Sequence, residues 1–147
     1  MSDVVVLVGN PRAGSRTRAL AEAVAEAVLD RLGRPAGFEV LELAEIVGVS
    51  FGPEPAYGAA GVPDPFETVR SAHLLIVATP AYKATYTGLL KVFLDQFGHR
   101  QLAGVTAVPV AVAGSPAHAG ATASALRDLL EEQGARGPAP PLAATES

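Results

Sequence analysis

The run Val4-Val-Val-Leu-Val-Gly-Asn-Pro-Arg-Ala-Gly-Ser-Arg-Thr near the start of the chain constrains the fold more than any other stretch. Its unbroken β-branched and aliphatic residues, bounded by Gly9, predict a strand covered on both faces, and so a parallel sheet rather than an antiparallel one wet on one side. A glycine-punctuated loop follows, then a helix over about Thr17 to Arg31. Ser15 or Thr17 can cap it, and Leu20, Val24, Ala27/Val28 and Leu32 fall at helical spacing. Arg12, Arg16 and Arg18 crowd a helix N-terminus that already carries roughly half a positive charge. A phosphate held by backbone N–H groups, hydroxyls and guanidinium groups would relieve that crowding. A solvated, arginine-rich loop is the bland alternative.

With 147 residues the chain is expected to form a single domain, residues 1–147, large enough to bury a real core. Its net charge of −4 gives no general attraction to nucleic acid or anionic lipid, so a basic patch must act locally. There is no cysteine, which excludes thiolate nucleophiles, Cys-based metal sites and the Cys-loop phosphatases that share a strand-loop-helix phosphate site. Asp3 precedes the first apolar run, and that run is too short for a signal or a membrane span, so a cytoplasmic protein is expected.

Downstream, Gly33 and Pro35 stop the first helix, and Phe38-Glu-Val-Leu-Glu-Leu alternates like a strand near a sheet edge. Residues 48–64 are rich in Gly and Pro and form a long connection. Pro65 starts a short helix leading into the apolar strand His73-Leu-Leu-Ile-Val-Ala-Thr-Pro. The loop Ala81-Tyr-Lys-Ala-Thr-Tyr precedes a helix with Leu89/Leu90, Phe93, Leu94 and Phe97 on one side. Val105 to Ala113 is the next strand, although Pro109 argues against a fully paired central position. Gly114-Ser-Pro-Ala-His-Ala-Gly is read as a third loop, with a helix from about Thr122 to a stop at Gly134 and a short, weak strand at the end. Strand and helix alternate throughout. The expected architecture is therefore an α/β doubly wound parallel sheet in three layers, α/β/α, with ligands beyond the C-terminal ends of the strands.

Three loops meet there, after Val8, Thr79 and Ala113. Gly9 and Gly14 have Walker A spacing, but Ser15-Arg16 stands where Lys-Ser/Thr is required, and no G-x-G-x-x-G follows the first strand. A single phosphate read by Asn10, Arg12, Ser15, Arg16 and Thr17 is left. Pro80 and Ala81 offer backbone to a flat ring on which Tyr82 could pack, and Gly114-Ser115 lets backbone approach from the other side. One phosphate and one planar ring describe a flavin mononucleotide.

Three segments resemble a known family. Gly9-Asn-Pro-Arg-Ala-Gly-Ser-Arg-Thr is similar to a G-S-P-R-x-x-S-x-T phosphate loop, with Asn10 in place of Ser. Residues 78–95, Ala-Thr-Pro-Ala-Tyr-Lys-Ala-Thr-Tyr-Thr-Gly-Leu-Leu-Lys-Val-Phe-Leu-Asp, match P-x-Y-x-x-x-x-x-G-x-L-K-x-x-L-D, and Ala113-Gly-Ser-Pro-Ala-His resembles the third loop. The family is the NADPH-dependent FMN reductases of flavodoxin-like fold, especially those feeding reduced flavin to alkanesulfonate monooxygenases. The resemblance implies FMN phosphate at Asn10, Arg12, Ser15, Arg16 and Thr17, and isoalloxazine contacts at Pro80, Ala81, Tyr82, Lys83, Gly114 and Ser115. It implies NADPH or NADH as hydride donor, a flavin-dependent monooxygenase as partner, and homodimers or homotetramers packed partly through the aromatic helix after Gly88.

Two departures accompany it. Ser124 stands near a position where sulfonate-linked members carry Tyr, and the family's final helix beyond the fifth strand is expected to be missing or short, exposing apolar surface for a partner subunit. Hydride transfer between two cofactors needs no protein acid or base, so no catalytic residue and no metal are expected. His73, His99 and His118 read as structural. Two rivals stay open: an FMN-bound reductase of quinones or azo dyes, and a flavodoxin-like electron carrier without pyridine-nucleotide activity.

Overall fold

The computed structural model describes residues 3–33, 37–46, 65–137 and 140–146. The expected long connection at 48–64 lies outside them. A five-stranded parallel sheet in the order β2-β1-β3-β4-β5 forms the centre, from β1 (Val4–Val8), β2 (Glu39–Glu42), β3 (Leu74–Pro80), β4 (Thr106–Ala113) and β5 (Leu142–Thr145). This is the flavodoxin-like order, in which the chain reverses direction across the sheet between β1 and β3. The β1 run is buried throughout, as its lack of alternation requires.

Helices cover both faces. On one side α1 (Arg16–Arg31) packs Ala21, Ala25 and Leu29 onto Val4, Val6, Val8, Ile76, Ala78 and Val110. On the other, α2 (Leu43–Ile46), α3 (Pro65–Arg70), α4 (Gly88–Leu94) and α5 (Pro116–Glu132) enclose a larger core around Leu7, Leu75, Val77, Leu90, Phe93 and Leu126. Phe93 stacks on Phe66 at 4.8 Å and meets Phe97 edge-on at 5.7 Å. The aromatic side of α4 is therefore spent inside this chain, and Leu89 and Val92 are its half-buried flank.

Several expectations change in detail. The buried stripe of α1 is Thr17, Ala21, Ala25 and Leu29, one position on from the larger residues Leu20, Val24, Val28 and Leu32, and Leu32 is 59% exposed. Small residues allow α1 to sit close to the sheet, and the larger ones flank the contact. Helix α5 begins at Pro116, six residues before the expected start, because Ser115 caps it through the His118 N–H and Pro116 occupies its first turn. The third loop thus shrinks to Gly114-Ser115.

Pro109 sits inside β4, opposite Val77 of β3, so the strand is central after all. Ala107 N–H donates to Arg136 C=O, which puts the nitrogens of alternate residues, Pro109 included, on the β5 side. The β4–β5 ladder begins only at Val110. The missing donor thus falls in the interval between the Arg136 bridge and β5, where nothing needs it.

Candidate functional site

The 10–17 loop folds on its own side chains. Asn10 Oδ1 accepts from Arg12 N–H at 2.9 Å, and Asn10 Nδ2 donates to Thr17 Oγ1 at 3.2 Å, so both ends of this amide shape the loop. Gly14 adopts φ 67°, a conformation that costs glycine nothing. Ser15 caps α1 by accepting from Arg18 N–H at 3.2 Å, which leaves its own hydroxyl proton available. The N–H groups of Arg16 and Thr17 donate to no described residue, as expected of the first turn of a helix.

The three arginines separate. Arg18 Nε reaches Glu22 at 3.0 Å and Arg18 Nη1 reaches Glu42 at 3.1 Å, and these contacts, Glu42 foremost, raise its pKa further above the ordinary arginine value. Arg12 and Arg16 form no ion pair with any described residue. The local patch is thus two guanidinium groups, not three. Glu42 was invisible to strand alternation, which reads it as a solvent-facing polar residue, yet it is buried at 4% exposure. The signal that could have found it is its place as the final residue of an edge strand, at the sheet end where the loops gather.

The second loop is a tight hairpin. Tyr82 N–H donates to Thr85 C=O at 2.8 Å, the reverse bond is 3.3 Å, and Lys83 and Ala84 between them both have positive φ, 54° and 69°. This is a two-residue turn of the kind glycine and asparagine favour, so each residue holds the left-handed region against its Cβ. The turn leaves Tyr82 about half exposed, at 49%. Behind it Thr87 caps α4, donates from Oγ1 to Gly9 C=O at 2.6 Å, and gives its N–H to Thr79 Oγ1 at 3.2 Å. The first and second loops are therefore bonded through one threonine.

A cleft of about 400 Å³ runs between them, lined by Asn10, Arg12, Gly14, Ser15, Arg16, Thr17, Pro80, Tyr82 and Glu146. Seven residues expected at a site on sequence grounds meet there: the five of the first loop, Pro80 and Tyr82. Ala81, Lys83, Gly114 and Ser115 do not line it. The Ala81 N–H is taken by Val112 C=O at 2.9 Å and the Ser115 hydroxyl oxygen by the α5 cap, whereas Gly114 stands at the open end of β4. Glu146 was not foreseen. It follows β5, and its N–H continues the ladder to Ala113 C=O at 2.9 Å, which fixes its place beside the cleft.

A model of the family described as NADPH-dependent FMN reductase matches residues 2–145. The chain belongs to this family. The NADH-dependent FMN reductase SfnF of Pseudomonas putida is 36% identical over 79% of this chain and 62% of its own length. The NADPH-type FMN reductase of Escherichia coli K12 is 34% identical over 86% of this chain and 64% of its own. The chain thus spans less than two thirds of these relatives. Among solved structures, the NADH:FMN oxidoreductase EMOB in its apo form is 32% identical with TM-score 0.70, covering 98% of this chain and 72% of that one. A Streptococcus pneumoniae flavodoxin, at 18% identity and TM-score 0.63, shares the fold.

The cleft of this FMN reductase family member fits a flavin nucleotide at both ends. The Arg12 and Arg16 guanidinium groups, the Arg16 and Thr17 N–H groups and the Ser15 hydroxyl suit a phosphate. Pro80 and Tyr82 offer an apolar wall at the other end. Among the described residues no group of side chains could hold a metal ion, and no helix is long and apolar enough to cross a membrane.

Proposed function

We propose that this chain binds FMN in the cleft between the 10–17 and 80–87 loops and acts as an NAD(P)H-dependent FMN reductase. The observation that carries the reading is one cleft holding two uncommitted arginines at a helix N-terminus and a half-exposed tyrosine at its other end. Asn10 shapes the loop, and Arg12, Ser15, Arg16 and Thr17 receive the phosphate. Pro80 and Tyr82 flank the ring, and Ala81, Lys83, Gly114 and Ser115, which follow β3 and β4 without lining the cleft, would meet a ring only where it extends beyond the cleft.

FMN, when bound, supplies the acceptor for a hydride from NADPH or NADH. The chain's residues bind, orient and shield: the arginines fix one end, the Tyr82 ring limits water over the other, and the Thr87 bonds join the bases of the two loops. No side chain is assigned a proton. The reading extends to a cytoplasmic enzyme that passes reduced flavin to a flavin-dependent monooxygenase. It also extends to a homodimer or homotetramer, supported by the exposed apolar residues Leu32 and Leu142.

Flavin fluorescence quenching on titration, and NADPH and NADH oxidation followed with and without added FMN, test the reading together. FMN-dependent oxidation is expected, with FMN affinity falling at least 100-fold in an Arg12→Ala, Arg16→Ala variant, on the scale of about 1.5–3 kcal/mol for each lost charged hydrogen bond. Unchanged affinity in that variant would refute the phosphate assignment. Absence of oxidation with both nucleotides would refute the activity.

A further inference from the structure

Glu42 is the buried carboxylate closest in sequence register to the start of the anion loop, since β2 pairs with β1 so that Glu42 stands beside Val8. Its side chain is 3% exposed. Oε2 accepts two hydrogen bonds, from the Gly14 N–H at 2.8 Å and from Arg18 Nη1 at 3.1 Å, whereas Oε1 has no donor among the described residues.

We propose that Glu42 is a positioning residue that holds the 10–17 loop in its anion-receiving form before ligand arrives, and so sets a preference for phosphorylated flavin over riboflavin. The proposal rests on the FMN reading above. The loop has little else to hold it. Residues 11–14 are exposed, a Cβ at Gly14 would touch nothing within 4 Å, and the Asn10 bonds are local to the loop and its helix. Glu42 provides the tie from the sheet to the middle of the loop, at the residue whose positive φ turns the chain into α1.

The same carboxylate decides how many charges face the cleft. By holding Arg18 from behind, it leaves Arg12 and Arg16 to the ligand and keeps a third guanidinium from crowding them. Core stability is a poor reason to keep this group. A buried carboxylate with one oxygen unsatisfied is costly, and apolar packing commonly does as well or better in such places. A cost kept beside a binding loop fits a positioning task.

The test compares wild type with Glu42→Gln and the shorter Glu42→Asp. Without flavin, amide hydrogen exchange reads the tie directly: the Gly14 N–H is expected to be protected in wild type and to lose at least tenfold of that protection in Glu42→Gln. With flavin, Glu42→Gln is expected to weaken FMN about tenfold, the size of one charge-assisted hydrogen bond, and to change riboflavin less than twofold. Glu42→Asp should fall between, and it serves if the glutamine variant fails to fold. Equal loss for FMN and riboflavin, or an unprotected Gly14 N–H in wild type, would overturn the proposal. Should wild type bind neither flavin, the FMN reading falls separately. Inorganic phosphate, followed through the Arg16 and Thr17 amide resonances, then becomes the probe, with a response expected in wild type and absent in Glu42→Gln. A response equal in both would overturn the positioning role.

Discussion

Replacing Gly9 by alanine isolates the contact that holds the two loops together. A Cβ built there would lie 2.9 Å from Leu90 Cβ and 3.2 and 3.3 Å from its two Cδ atoms. Leu90 is fully buried in the first turn of α4, next to Thr87, which bonds the Gly9 carbonyl. The new methyl therefore cannot be met by swinging a free side-chain end. Gly9 does not have positive φ, so without the clash Gly9→Ala would stabilise by about 0.4–1 kcal/mol through the unfolded chain. With it, overpacking should destabilise by about 1–3 kcal/mol, a drop in Tm of about 3–10 °C at this chain length.

The decisive measurement is a double-mutant cycle in urea. Leu90→Ala alone removes a fully buried leucine and should cost about 2–5 kcal/mol. It removes the two Cδ contacts with the new methyl but keeps the Leu90 Cβ 2.9 Å away. The double variant should therefore lose less than the sum of the two single losses yet stay less stable than Leu90→Ala alone, with a coupling of about 0.5–1.5 kcal/mol, because the Cβ–Cβ contact persists. Additive losses within about 0.5 kcal/mol, at unchanged m-value, would show that the Leu90 Cδ atoms play no part, and no loss in Gly9→Ala alone would refute the clash.

Two further outcomes follow from the site. Ala84→Gly should raise stability by up to about 1 kcal/mol, because relief at φ 69° exceeds the added freedom of the unfolded chain, and a thermal melt with no rise would argue that the turn is not strained. On the FMN proposal, Glu146→Gln should tighten FMN about two- to fivefold at low salt, since its carboxylate shares the cleft with Arg12 and Arg16, and the gain should shrink as salt is added; weaker binding would mean that Glu146 helps to hold the ligand.

The legible parts of this fold were those in which local pattern and tertiary environment coincide. The apolar runs of β1, β3 and β4 are buried on both faces because the sheet is parallel, so periodicity alone found them. Of the seven foreseen residues that meet in the cleft, Arg12, Ser15, Arg16 and Thr17 were legible because hydroxyls and arginines crowded at a strand end serve few other purposes, and Pro80 and Tyr82 because they directly follow a buried strand. What failed depended on neighbours far away in sequence. The face that α1 buries is set by how closely the sheet lets it approach, and alanines at 21 and 25 win over valines at 24 and 28 for that reason. Pro109 is tolerated only because the neighbouring strand starts late, a fact held by residues 136 and 142. Glu42, the last residue of one edge strand, and Glu146, the residue after the other, have destinations that only the sheet order reveals.

The bond from Thr87 to Gly9, with its second bond to Thr79, joins the bases of the two loops beneath the cleft and makes their spacing a ruler. A ligand with an anion at one end and a plane at the other is gauged by the distance between them, as well as by the chemistry at each. Lengthening the tether between a ligand's anion and its plane should therefore cost affinity that the chemistry of neither part explains, since the strand ends from which the two loops spring are pinned to each other.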